Sequence, residues 1–151
     1  MKTVLVTGVS RGIGKAISSV LGINYHVVVG YVTSEDKAAE VVSEIKESGG
    51  SASSVEINIS SKESVDNAFA IIEESHGSVD ILINNAGITK DNILPRMKEE
   101  EWIDVIQTNL TGSFYTSQRA IKQMMKNKWG RIIFISSIVG MSGNQGQANY
   151  A

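Results

Sequence analysis

Five short apolar runs, each separated from the next by a helix-sized segment, constrain this chain more than any other feature. The runs are Thr3–Thr7, His26–Tyr31, Ser54–Ile59, Val79–Asn84 and Arg131–Ser136. Runs of this length, bounded by turn residues and rich in Val and Ile, read as buried strands. Strands joined by helix-length crossovers must run parallel, because a tight hairpin is the antiparallel connection. The right-handed crossover rule then layers helices on both faces of the sheet. The fold class is therefore α/β, a doubly wound parallel sheet of order β-α-β-α-β-α-β-α-β. No linker or low-complexity tract interrupts residues 1–151, which are read as one domain.

The intervening segments carry helical signals. Ile13, Ala16, Ile17, Val20 and Leu21 share a face, as do Ala38, Val41, Val42 and Ile45, and Val65, Ala68, Phe69 and Ile72. Ser34 is placed to cap the second helix, with Glu35 and Asp36 in its first turn. Ser60 and Glu63 have capping-box spacing for the third. Ser48-Gly49-Gly50-Ser51 and Gly77 are stop signals. A long periodic segment runs from about Lys98 to Asn127, and a polar, Gly-rich loop follows the fifth run to Tyr150.

Composition closes several classes of function. The chain has no cysteine, which excludes disulfides, cysteine zinc sites and thiol nucleophiles within it. Its two histidines, His26 and His76, lie far apart in sequence without metal-ligand spacing, so no metal is expected. A net charge of −2 lacks the basic excess of a nucleic-acid surface. No apolar run reaches membrane-span length, and Met1-Lys2-Thr3 leads directly into the first strand with no signal-peptide pattern. The expectation is a cytoplasmic protein.

The chemistry-bearing motif is Thr7-Gly8-Val9-Ser10-Arg11-Gly12-Ile13-Gly14, between the first strand and the first helix. In that context glycines let backbone approach a pyrophosphate, and free amides at the helix start face its charge. The alternative is a glycine turn needed only for strand–helix packing. The spacing G-x-x-x-G-x-G resembles the cofactor loop of the short-chain dehydrogenases/reductases. Asn84-Asn85-Ala86-Gly87 resembles that family's second signature, and Asn109, Ser137 and Tyr150 stand at its catalytic positions. The resemblance covers the whole chain. It implies a Rossmann-like fold, of which this sequence is the N-terminal portion.

The segments Asn85–Asn92 and Gly143–Tyr150 are closer to the 3-oxoacyl-acyl-carrier-protein reductases within that family, and acetoacetyl-CoA reductases share much of them. The resemblance implies a nicotinamide cofactor held by Gly8, Ser10, Arg11, Gly12, Ile13, Gly14, Thr33, Asn58, Asn85, Ala86 and Gly87. NADP(H) is expected over NAD. No carboxylate stands in Gly30-Tyr31-Val32-Thr33 to hold a ribose 2′-hydroxyl, and Arg11 offers a guanidinium fork for a phosphate. Arg11 also reads as a solvated charge, Asn58 as a surface turn residue, and Asn84 as a tie at the strand end. Glu35 and Asp36 are close to the expected phosphate position and are read as helix-start residues.

Asn109 falls on a mostly inward stripe with Trp102, Val105, Ile106, Ser113, Ala120 and Met124. A buried amide needs partners, and Gly112 close by weakens a helix, so a local irregularity is expected there. The resemblance gives Asn109 a water in a proton relay; the alternative is an amide satisfied by nearby backbone. Ser137 lies at the carboxyl edge of the sheet, where ligands bind in open α/β folds. Strand alternation should turn one of Ser136 and Ser137 away, and the resemblance selects Ser137. Tyr150 is the implied general acid. A free phenol, with a pKa of about 10, needs nearby positive charge to serve at neutral pH. The family's lysine four residues after this tyrosine would fall beyond Ala151. The chain is therefore expected to be incomplete and inactive alone.

The resemblance implies, for the parent protein, an oxidoreductase reducing 3-oxoacyl-acyl carrier protein with NADPH in fatty acid synthesis, and a homotetramer. Lys122, Lys126, Lys128 and Arg131 form either a docking patch for an acidic carrier or a favourably charged helix end. Another carbonyl substrate on the same fold is one alternative. A non-catalytic nucleotide-binding module is another, against which the Ser137–Tyr150 pair argues.

Overall fold

A computed structural model describes residues 1–9 and 12–151; Ser10 and Arg11, both expected at the cofactor, lie outside the described residues. The elements are β1 (Thr3–Thr7), α1 (Gly12–Leu21), β2 (His26–Tyr31), α2 (Glu35–Glu47), β3 (Ser51–Glu56), α3 (Lys62–His76) and β4 (Val79–Asn84). A 3-10 turn at Leu94–Arg96 leads to α4 (Glu99–Val105), a π-helical turn (Ile106–Thr111), α5 (Gly112–Lys126), β5 (Arg131–Phe134) and the short α6 (Val139–Ser142).

The sheet is parallel throughout, in the order β3-β2-β1-β4-β5. Strand order reverses between β1 and β4, and a crevice opens there at the carboxyl ends of the strands. Both faces are covered over the centre of the sheet, which is why β1 is buried at every position, whereas β5 at the edge is largely exposed. On one face Val4, Val6, Val27, Val29, Ile81 and Ile83 pack with Ala38, Val41 and Ile45 of α2. On the other, Leu5, Val28, Val55 and Leu82 pack with Val65, Ala68, Phe69 and Ile72 of α3 and with Ala120 and Met124 of α5.

Three boundaries differ from the sequence reading, each for a physical reason. The third strand is Ser51–Glu56, three residues earlier than Ser54–Ile59. Its polar start is paired with β2 in register His26↔Ser51, and the Ser51 and Ser53 hydroxyls bond the His26 ring at 2.7 and 3.0 Å. Ile57 and Ile59, expected in the strand, fill the core from the connection that follows. The α3 cap is Ser61, whose hydroxyl accepts the Ser64 amide, because the Ser60 hydroxyl is bonded to Asn58 Oδ1. Strand β5 stops at Phe134, before the two serines.

The face assigned to α1 is also revised. Gly14 and Ser18 are its buried residues, while Ile13 and Val20 are exposed. Small residues let the start of this helix lie close to the sheet. A Cβ at Gly14 would stand 2.5 Å from Asn85 Nδ2 and 2.7 Å from the Gly8 carbonyl.

Candidate active site

Thr7 closes β1 and organises the floor of the crevice. Its hydroxyl accepts the Asn85 and Ala86 amides, each at 3.1 Å, while Asn85 Nδ2 donates to the Thr7 and Gly8 carbonyls at 2.9 Å. The glycine loop and the Asn85-Ala86-Gly87 segment are thereby stitched together across the β1–β4 switch point. The three loop glycines divide between two duties. Gly8, at φ +69°, would set a Cβ 2.7 Å from Ala86 Cα, so it is required by packing. Gly14 is required by packing as well. Gly12, at φ +61°, has nothing among the described residues within 4 Å of its virtual Cβ, so they leave its bare backbone open at the start of α1. That exposed cradle fits the close approach of a pyrophosphate.

Asn84 is buried at the end of β4. Its Oδ1 accepts the Thr116 hydroxyl at 2.7 Å and its Nδ2 donates to Ser117 Oγ at 3.1 Å, tying the sheet to α5. The long helix expected over residues 98–127 is broken by the π-helical turn, so the irregularity inferred from Asn109 and Gly112 is present. Gly112 packs on Ile59, where a Cβ would approach to 2.9 Å. The Asn109 side chain grips the backbone of Ile88 from both sides: its Oδ1 accepts the Ile88 amide at 2.8 Å and its Nδ2 donates to the Ile88 carbonyl at 2.9 Å. Trp102, expected inward, is exposed.

These elements enclose a cleft of about 880 Å³ whose lining includes Asn109, Ser137 and Tyr150 together with Ile13, Asn85, Ala86 and Gly87. Ser136 lines it too. Strand alternation does not separate the two serines, because both lie beyond β5. The Ser137 hydroxyl accepts the Val139 amide at 3.2 Å at the start of α6. Thr33 and Asn58 are exposed and lie outside the cleft lining. Asn58 Oδ1 is taken up by Ser60, as in a turn, whereas its Nδ2 has no hydrogen bond among the described residues. At the end of β2, partial desolvation and the nearby Glu35 and Glu56 carboxylates raise the Tyr31 phenol above its ordinary value.

The sequence profile of the short chain dehydrogenases matches residues 2–151. The chain belongs to the short-chain dehydrogenase family. Among its relatives, a 3-oxoacyl-acyl-carrier-protein reductase of Staphylococcus epidermidis is 49% identical over 150 residues, covering 99% of this chain and 62% of the relative. Enzymes of the same name from Haemophilus influenzae and Vibrio cholerae are each 47% identical and are covered to 60% of their length. This short-chain dehydrogenase chain thus spans about three-fifths of the length of the curated relatives it matches.

Two parts of this family member's site, and one cluster at the opposite end of the sheet, are not apparent from sequence spacing. Thr7 stands in the loop motif as a polar residue ending a buried strand, which is a usable signal for its tie to Asn85 and Ala86. Asn149, in contact with Lys90 and Glu101, is one polar residue within a polar loop and gives no sequence signal. The histidines, remote in sequence, stack with ring centroids 3.9 Å apart. Among the described residues no group of three metal-ligating side chains forms, and no helix is long and apolar enough to cross a membrane. Lys122, Lys126, Lys128 and Arg131 are all exposed, at the end of the sheet opposite the cleft.

Proposed function

We propose that the protein containing this chain reduces 3-oxoacyl groups carried on acyl carrier protein to 3-hydroxyacyl groups, using NADPH, in the cytoplasm. The observation that carries the reading is the convergence of Asn109, Ser137 and Tyr150 on one cleft at the β1–β4 switch point, beside the glycine loop. The names of the relatives supply the substrate class.

A nicotinamide bound there would supply the hydride for the β-keto carbon. Gly12, with its bare backbone at the start of α1, and the Asn85-Ala86-Gly87 floor would hold the cofactor. The Ser137 hydroxyl donates a hydrogen bond to the substrate carbonyl oxygen. The Tyr150 phenol gives that oxygen its proton, so the ketone gains one hydride and one proton and leaves as the alcohol. Asn109 supports resupply of the proton through water from the π turn.

Arg11 and Thr33 favour NADPH, and Glu35 and Glu56 near the end of β2 oppose a 2′-phosphate. The balance is read by kinetics with both cofactors: Arg11→Ala should cut kcat/KM for NADPH at least tenfold and leave NADH within twofold. The assembly is a homotetramer in this reading, with α5 at one interface. If the carrier docks on Lys122, Lys126, Lys128 and Arg131, its thioester arm must span β5, roughly 13 Å for four residues. The deciding experiment follows NADPH oxidation by the full-length protein with acetoacetyl-acyl carrier protein and with acetoacetyl-CoA. Activity on both, abolished by Tyr150→Phe, is expected. Preference for the coenzyme A thioester would reassign the substrate, and NADPH binding with no turnover of either would make the protein a nucleotide-binding module.

A further inference from the structure

Asn149 directly precedes Tyr150 and is only 5% exposed. Its Nδ2 donates to two carbonyls from different elements, Lys90 at 2.9 Å and Glu101 at 3.0 Å. Its Oδ1 is the one buried side-chain oxygen or nitrogen without a hydrogen-bond partner among the described residues. Burying an amide and leaving one end unpaired is unfavourable, so this arrangement needs a reason.

The carbonyls it reaches supply one. Lys90 lies two residues beyond Ile88, which the Asn109 side chain grips from both sides. The short segment Ile88-Thr89-Lys90 is therefore held at one end by an asparagine in the π turn and at the other by the asparagine beside Tyr150. Neighbouring contacts repeat the tie. The Asn92 amide donates to the Gly146 carbonyl at 2.8 Å, and Gln147 Nε2 donates to Asp91 Oδ1 at 3.1 Å. The Glu101 carboxylate accepts Asn92 Nδ2 at 3.1 Å and the Lys98 amide at 2.8 Å, fixing the start of α4 in the same cluster. The backbone leading into Tyr150 is thus registered on the post-β4 segment and α4, far in sequence from β5 and from the serines.

We infer that Asn149 is a positioning residue for Tyr150, and that the Ile88–Lys90 segment acts as a common ruler setting the phenol against the π turn that carries Asn109. This inference rests on the reading of Tyr150 as the proton donor. A misplacement of about 1 Å at a reacting group is enough to cost about a hundredfold in rate, so a buried tie next to the donor has a direct kinetic consequence. Asn149 touches neither substrate nor cofactor in this role, and its loss is expected to spare both binding steps.

The test uses the full-length protein with Asn149→Ala and Asn149→Asp. The aspartate keeps the shape, loses the donor, and sets a carboxylate against the Lys90 and Glu101 carbonyls. Expected for both is a kcat at least tenfold lower with NADPH and acetoacetyl-CoA, while KM and the NADPH Kd stay within twofold. In protein carrying ring-labelled tyrosine, the Tyr150 resonance should move while those of Tyr25 and Tyr31 stay. A folded variant with wild-type kcat and an unmoved Tyr150 resonance overturns the inference. So does an NADPH Kd that weakens as much as kcat falls. Should neither Asn149 variant fold, Asn92→Ser loosens the same tie from a half-buried position. It should lower kcat two- to fivefold and move the same resonance, and wild-type behaviour on both counts overturns the inference. If the wild-type protein oxidises no NADPH, the proposed function falls, and the Tyr150 resonance still judges the positioning role.

Discussion

At the scale of single residues, the glycine loop mixes two demands that sequence spacing cannot separate. Gly8 needs both its positive φ and its missing Cβ, because Ala86 is held in place by the Thr7 hydroxyl. Gly12 needs only its positive φ as far as the described residues are concerned. Gly8→Ala should therefore destabilise the fold by about 2–4 kcal/mol, the sum of left-handed backbone strain and overpacking. Gly12→Ala should cost about 1–2 kcal/mol, the strain alone. The order reverses for the ligand: per unit of stability lost, Gly12→Ala should weaken NADPH binding more, since its methyl would project where the pyrophosphate approaches. Urea unfolding and NADPH fluorescence titration of the two variants measure both orders. A Gly12→Ala protein that binds NADPH as wild type would remove Gly12 from the cofactor site.

At the scale of elements, α5 is aligned by polar contacts as much as by its apolar stripe. Arg119 makes a two-pronged bond to Glu73 of α3, at 2.7 and 2.6 Å, with both side chains largely covered. The pairing raises the Arg119 pKa above its ordinary value through the Glu73 hydrogen bond. Lysine keeps the charge and loses the planar fork. Arg119→Lys should then cost about 1–2 kcal/mol, measured by thermal unfolding, and a double-mutant cycle with Glu73→Gln should show coupling. Equal loss in the single and double variants supports the pairing, whereas additive losses would refute it. The same elements show what was legible in advance. Strands β1, β2 and β4 and helices α2 and α3 announce themselves because burial on both faces, or on one stripe, dictates their residues. Strand β3 does not, since Ser51 and Ser53 serve His26 and carry no β-branched signal. The break before α5 was legible as a conflict, an amide and a glycine on an inward face, but the contacts it makes, Gly112 on Ile59 and Asn109 on Ile88, are ones that no local pattern reveals. That Asn109, Ser137 and Tyr150 line one cleft was expected from resemblance, whereas the Asn149 side chain contacts residues more than forty positions away.

At the scale of the molecule, the two ends of the parallel sheet have separate duties. The carboxyl end holds the candidate site. The amino end is closed by a polar cluster in which His26 at the start of β2 bonds Ser51 and Ser53 of β3. Ser53 also meets His76 Nε2 at 3.1 Å, and the Thr3 hydroxyl donates to the His76 carbonyl. The charged groups acting on His26 come from the helices α3 and α2. Burial lowers its pKa most, then the facing His76 of α3, then Lys46 of α2. A histidine lowered in the folded state is held neutral there, while the unfolded chain takes up its proton near the ordinary value of about 6.5. The folded form then binds fewer protons, so its stability is complete above about pH 6.5 and declines as pH falls toward the lowered native value. Carboxylates titrate mostly below this window, which isolates the histidine contribution. The urea midpoint should therefore fall between pH 7.5 and 5.5. His26→Gln keeps an amide able to bond both serines and has no proton to gain, so its midpoint should stay flat over the same range. His76→Gln removes the facing imidazole and leaves the burial, so its slope should lie between the two. A His26→Gln protein that retains the wild-type slope would show that acid acts elsewhere in the molecule.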